Sequence, residues 1–172
     1  MKKFKIRNAR RDDLEHLLEL NQSNLPHVGS ITQREMEHLH SQAICFRVAE
    51  FNGQTAGFLI AFDPEADYAS LNFLWFKKRY PNFVYIDRIA IAAEARRKGI
   101  ASSLYQDLEH FAGERQIPLM ACEYNLQPKN DVSRQFHQRY GFNEVGTQET
   151  ENGKKTVSLQ IKQVIPLRSS TQ

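Results

Sequence analysis

Cysteine occurs only twice in the 172 residues, at Cys45 and Cys122, each among strand-forming residues and far from the other. That spacing excludes a disulfide framework and predicts two core thiols. Neither CxxC nor HExxH is present, and the six histidines, His38 and His40 among them, lack further ligands at metal spacing, so no metal is expected. No apolar run approaches membrane-spanning length, and the opening MKKFKIRNARRDD has no apolar centre of a secretion signal; no membrane partner and a cytoplasmic location are expected. The net charge of +3 falls short of the dense basic surface of a nucleic-acid binder, although it suits a small polyanionic ligand. Two phosphate signatures, GxxxxGK[ST] and GxGxxG, are missing, as are repeats and low-complexity segments.

What is present predicts one α/β domain over residues 1–166, followed by a polar tail, 167–172. A short strand is read at Lys3 to Arg7, then a helix from near Asp12 with Leu14, Leu17, Leu18 and Leu20 as its apolar stripe, broken by Asn21 to Gly29. A second helix follows over Thr32 to His40. Ala43 to Phe51 and Gln54 to Phe62 form a hairpin across Asn52-Gly53, a turn that needs positive φ at both residues. Asp63 to Asn82 reads as an insertion with a short helix near Leu71 to Lys78; its Tyr68, Phe73, Trp75 and Phe76 serve either packing or pocket lining, and Lys77-Lys78-Arg79 forms a solvated face. Later come a strand at Ile117 to Tyr124, a helix at Val132 to Tyr140 capped by Gly141, and a strand pair, Phe142 to Thr147 and Thr156 to Val164.

The chain is organised around Phe83 to Ala112, where a strand, a charged turn and a helix start follow in succession. The first N–H groups of a helix lack internal partners and lie at its positive end, so they can hold a phosphate. Arg96, Arg97, Lys98 and Gly99 occupy that turn, and three cations favour the same anion.

Arg96-x-x-Gly99-x-Ala101 resembles the Gln/Arg-x-x-Gly-x-Gly/Ala pattern of the GCN5-related N-acetyltransferases, the GNAT superfamily. The block Asn130 to Phe142 is similar to that superfamily's Asn-x-x-Ala-x-x-Leu-Tyr-x-x-x-Gly-Phe, and the element order β-αα-ββ-β-α-β-α-ββ matches along nearly the whole chain. The wording YASLNFLWFKKRY and FVYIDRIAI also resembles a less characterised bacterial subgroup. The resemblance implies a mixed, mostly antiparallel sheet splayed between strands 4 and 5, with helices on both faces, and acetyl-CoA as cosubstrate. In its terms the backbone of Ile89, Ala90 and Ile91 pairs with the pantetheine arm, with the N–H of Ile89 or Ala90 as oxyanion donor. Arg96, Arg97, Lys98, Gly99, Ile100, Ala101 and Ser102 hold the pyrophosphate, and Asn130, Ser133, Phe136 and His137 lie along the cofactor.

Acyl transfer from a thioester to an amine needs a neutral amine, a stabilised oxyanion and a proton for the thiolate. Asp87 and Glu123 each interrupt an apolar strand, which marks them either as the groups that orient and deprotonate the amine or as members of structural ion pairs with Arg88 or another basic residue. His137 stands where the family commonly has a tyrosine and is one candidate acid; Tyr140 is the other. Cys122, of opposite strand parity to Glu123, belongs to the core, so direct attack in a ternary complex is expected without a covalent enzyme intermediate. The acceptor is expected to be a small-molecule or peptide amine, and a homodimer through the last strand pair is possible. A non-catalytic acyl-CoA sensor is the alternative from another class.

Overall fold

The computed structural model describes residues 4–167; Lys3 of the first expected strand and residues 168–172 of the expected tail lie outside the described residues. The elements are β1 (Phe4–Asn8), α1 (Leu14–Ser23), α2 (Gln33–Gln42), β2 (Cys45–Phe51), β3 (Gln54–Phe62), α3 (Leu71–Lys77), β4 (Val84–Ile91), α4 (Ile100–Glu114), β5 (Leu119–Gln127), α5 (Asp131–Tyr140), β6 (Asn143–Thr150) and β7 (Lys155–Gln163). The strands form a seven-stranded sheet in the order β1-β2-β3-β4-β5-β7-β6. Pairs β1–β2, β2–β3, β5–β7 and β6–β7 are antiparallel. Pair β4–β5 is parallel and joins Val84 to Met120 and Tyr85 to Ala121, the first two residues of β4. This is the mixed, mostly antiparallel sheet that the sequence led us to expect. No helix among the described residues is long and apolar enough to cross a membrane.

The chain divides into two compact units, the first made of Met1–Ala66 and Ile86–Leu108 and the second of Asp67–Tyr85 and Glu109–Gln172. In the first unit, Asn52 and Gly53 take φ of 52° and 78°, so the β2–β3 turn has the handedness that matches strand twist. Thr32 caps α2: its hydroxyl accepts from the Glu35 amide at 3.2 Å, while the Glu35 carboxylate accepts from the Thr32 amide at 2.7 Å. Those Thr32 donors hold the Glu35 carboxyl below its ordinary value. Asp12 and Asp13 occupy a 3-10 turn before α1, and the Asp13 carboxylate accepts from the Arg10 amide at 2.7 Å. Helix α1 continues to Ser23, beyond the expected break at Asn21, because the buried Asn21 amide donates to the Gly29 carbonyl at 3.1 Å and so folds the connector back onto the helix. A side chain at Gly57 would meet the Ala90 carbonyl oxygen at 2.9 Å, a backbone atom that cannot move aside, so bare backbone is needed where β3 passes β4.

In the second unit two aromatics of the insertion belong to the core, while Tyr68, Trp75 and Tyr80 are half-buried. Phe73 and Phe76 of α3 are fully buried, with ring centroids 5.6 and 5.9 Å from Tyr85. Lys77, Lys78 and Arg79 are exposed as expected, and the Arg79 guanidinium stacks 3.9 Å from the Trp75 ring. Helix α5 is capped at both ends. Asn130 Oδ1 accepts from the Ser133 amide at 3.1 Å, and Gly141, at φ 102°, closes the far end with its amide on the His137 carbonyl. Both cysteines are buried free thiols, and burial, reinforced by the neighbouring Glu123 charge, raises the Cys122 pKa. A thiol held protonated in this way is a poor nucleophile.

Candidate functional site

The first unit carries the phosphate-like turn. After a 3-10 turn at Ala93–Ala95, Arg96 is extended, Arg97 takes φ 61° and Gly99 φ 79°, and α4 starts at Ile100. The Gly99 carbonyl accepts from both the Ser103 amide, at 3.1 Å, and the Ser103 hydroxyl, at 3.0 Å. Ser103 is thus the first amide paired along the helix, and the amides of Ile100, Ala101 and Ser102 precede it at the positive end of the dipole. Arg96, Arg97 and Lys98 are exposed around this end. Arg96 Nη2 donates to Asn24 Oδ1 at 3.1 Å, and Lys98 Nζ lies 4.6 Å from the Phe51 ring centroid.

Upstream on β4, Ala90 is buried while Ile89 and Ile91 are half-buried. Asp87 and Arg88 form a nearly buried ion pair, Oδ2 to Nε 2.7 Å, with side chains 5% and 9% exposed. Arg88 Nη1 also donates to Asn21 Oδ1 at 3.0 Å and to the Gly29 carbonyl at 3.2 Å. One of the two roles weighed for Asp87, the ion pair with Arg88, is therefore present in the geometry. Its effect is to aim Arg88 at the α1–α2 connector.

The second unit holds the other carboxylate. Tyr85, fully buried, donates its hydroxyl to both oxygens of Glu123, at 2.9 and 2.8 Å. The sequence reading gave Tyr85 no role at the site. The available signal was the strand pair itself: Tyr85 lies directly opposite Ala121, and Glu123 follows two residues later on the same face.

His137 and Tyr140 are both on α5. The buried His137 ring stacks on Tyr124 at 5.8 Å, and its Nδ1–H donates to the Ser133 carbonyl at 2.7 Å. Burial lowers the His137 pKa more than that bond raises it, so the imidazole is neutral. The Tyr140 hydroxyl donates to Glu109 at 2.9 Å; burial first, and then that partner, raise its pKa. Glu109 also receives Lys162 Nζ. Ser133 and Phe136 are half-buried on the same helix. Among the described residues no three His, Cys, Asp or Glu side chains gather as a metal set.

The profile of the "Acetyltransferase (GNAT) family" matches residues 11–142. An N-alpha-acetyltransferase of Saccharolobus solfataricus is 30% identical over 106 residues, which are 60% of this chain and 59% of that protein. The shared stretch thus spans about three fifths of the relative's length. The crystal structure of Ard1 from Thermoplasma volcanium has a TM-score of 0.77 at 19% identity, covering 95% of this chain and 99% of that one. The ribosomal-protein-S18-alanine N-acetyltransferase from Escherichia coli has a TM-score of 0.74 at 14% identity, covering 98% and 99%. At such identities the two structures establish the fold. With its profile matched over most of the chain, the protein belongs to the acetyltransferase (GNAT) family.

Proposed function

We propose that this GNAT family member is an acetyl-CoA-dependent N-acetyltransferase that moves an acetyl group to a primary amine by direct attack in a ternary complex. The turn at residues 96–102 carries the reading. Left-handed backbone at Arg97 and Gly99 leads into three amides that precede the first paired one of a 15-residue helix, and three cations surround that end. Such a donor set fits a pyrophosphate.

Acetyl-CoA, when bound, supplies the acetyl group as a thioester. In this reading the amides of Ile100 to Ser102 and the side chains of Arg96, Arg97 and Lys98 hold its pyrophosphate. The backbone of Ile89, Ala90 and Ile91 pairs with the pantetheine arm and gives the oxyanion an N–H. Asn130 has its Oδ1 engaged as the α5 cap, so its contact with the cofactor arm uses Nδ2, beside Ser133 and Phe136.

Glu123 takes the amine's proton, directly or through water, the thiolate that leaves is protonated from solvent, and the Tyr85 hydroxyl orients the Glu123 carboxylate. Asp87 acts through Arg88 on the connector. His137 contacts the cofactor as a neutral ring, since its protonated nitrogen is engaged by Ser133. Tyr140 is held by Glu109 as part of the α5 packing. The relative's name makes the α-amine of a polypeptide the first acceptor class to try.

The test is thiol release from acetyl-CoA across peptides with free amino termini and small amines. Turnover is expected with at least one acceptor. Glu123→Gln should lower kcat about 100-fold or more with acetyl-CoA affinity kept, while Gly99→Asp should abolish acetyl-CoA binding in a folded protein. Tight acetyl-CoA binding without turnover on any amine would instead identify a non-catalytic sensor.

A further inference from the structure

Resting on the reading of residues 96–102 as a pyrophosphate turn, we infer that Asn24 and Phe51 are positioning residues for the bound phosphate. They hold two of the turn's three cations in place without neutralising them.

The first unit offers a clear contrast in how its cations are held. Arg7 pairs with Asp13 and Glu50, Arg47 with Asp107, and Arg88 with Asp87. In each case a carboxylate fixes the guanidinium and cancels its charge. Among the described residues no carboxylate pairs with Arg96, Arg97 or Lys98, yet two of these three are held. Arg96 is held by a carboxamide and Lys98 by an aromatic ring, both neutral.

Asn24 is built for this contact. It lies just past the end of α1, is 7% exposed, and donates Nδ2 to the Leu20 carbonyl at 2.9 Å. With the amino side of the amide engaged there, the oxygen faces Arg96 and accepts one of its five N–H donors. The rest of the exposed guanidinium keeps its donors and its full charge. Phe51 ends β2, and the Lys98 ammonium rests over its ring, where attraction to the π-face orients the cation while sparing its N–H groups for an anion.

Long flexible cations normally lose rotamer freedom when they close on a ligand, and that loss weakens binding. A neutral holder removes part of the loss in advance. A charged holder would do so too, but it would compete with the phosphate for the same cation.

The experiment is a pair of double-mutant cycles read by calorimetric titration with acetyl-CoA at fixed ionic strength, with melting temperatures confirming folding. Asn24→Ala and Phe51→Leu should each weaken binding about three- to tenfold in the native background. Each should have almost no effect once Arg96→Ala or Lys98→Ala, respectively, is present. A merely structural Asn24 or Phe51 would weaken binding equally in both backgrounds, and that additivity would overturn the inference. Asn24→Asp supplies a charged holder and should weaken binding at least as much as Asn24→Ala; native affinity in Asn24→Asp would also overturn it. If Asn24→Ala does not fold, the Phe51–Lys98 cycle decides. Unchanged affinity in Arg96→Ala and Lys98→Ala, with Gly99→Asp unable to bind, removes this inference and leaves the turn in place. Unchanged affinity in Gly99→Asp removes the turn itself.

Discussion

At the scale of single residues, the Tyr85–Glu123 pair makes a sharp prediction. The Tyr85 hydroxyl, donating to both oxygens, fixes the orientation of the Glu123 carboxylate, so Tyr85→Phe should lower kcat about tenfold while the affinity for acetyl-CoA is kept. An unchanged kcat would separate Tyr85 from the chemistry. His137 gives a stability prediction of definite sign. Its folded pKa is depressed, so its neutral form stabilises the fold fully above the unfolded value near 6.5, and this contribution is lost as pH falls from there through the lower folded value. His137→Phe keeps a ring against Tyr124 without a titrating group. Melting temperature should therefore fall less steeply from pH 7 to pH 5 in the variant than in the native protein. The carboxylates Asp87 and Glu123 were legible because a charge in an apolar strand stands out. The pairing of Asp87 with its chain neighbour Arg88 was one of the readings the sequence offered, whereas the Tyr85–Glu123 contact was not, since it depends on which residues of β4 and β5 face each other.

At the scale of elements, local signals fixed the starts and turns. The Asn52-Gly53 turn and the Gly141 cap lie where their chemistry predicted, because each depends on a few adjacent residues. Boundaries set by distant contacts were less visible. Helix α1 outran its expected end once Asn21 found the Gly29 carbonyl, and β6 and β7 extend toward each other across a turn of only four residues, 151–154. The insertion was the hardest to read, since aromatic content alone does not separate packing from lining. Its outcome is testable at Gly146, beside a register shift in β6, where an added Cβ would lie 2.7 Å from Trp75 Cζ2. Gly146→Ala should destabilise the protein by about 1–3 kcal/mol, seen as a lowered denaturation midpoint. An unchanged midpoint would mean that Trp75 moves aside freely.

At the scale of the whole molecule, the order of elements along the chain and the family were legible because two motifs fell on the expected elements in the expected sequence. Ligand linkage is the matching prediction. Acetyl-CoA at 100 times its dissociation constant should stabilise the protein by about 2.7 kcal/mol, a rise in Tm of about 5–10 °C for a chain of this size, and Gly99→Asp should show no rise. The two buried thiols bear on how the reaction can be watched. A disulfide dye that reports released coenzyme A meets no accessible sulfhydryl on the folded chain, so its fast signal counts product alone. Unfolded protein would add a stoichiometric step of two equivalents, and one reagent therefore reads both turnover and the integrity of the sample.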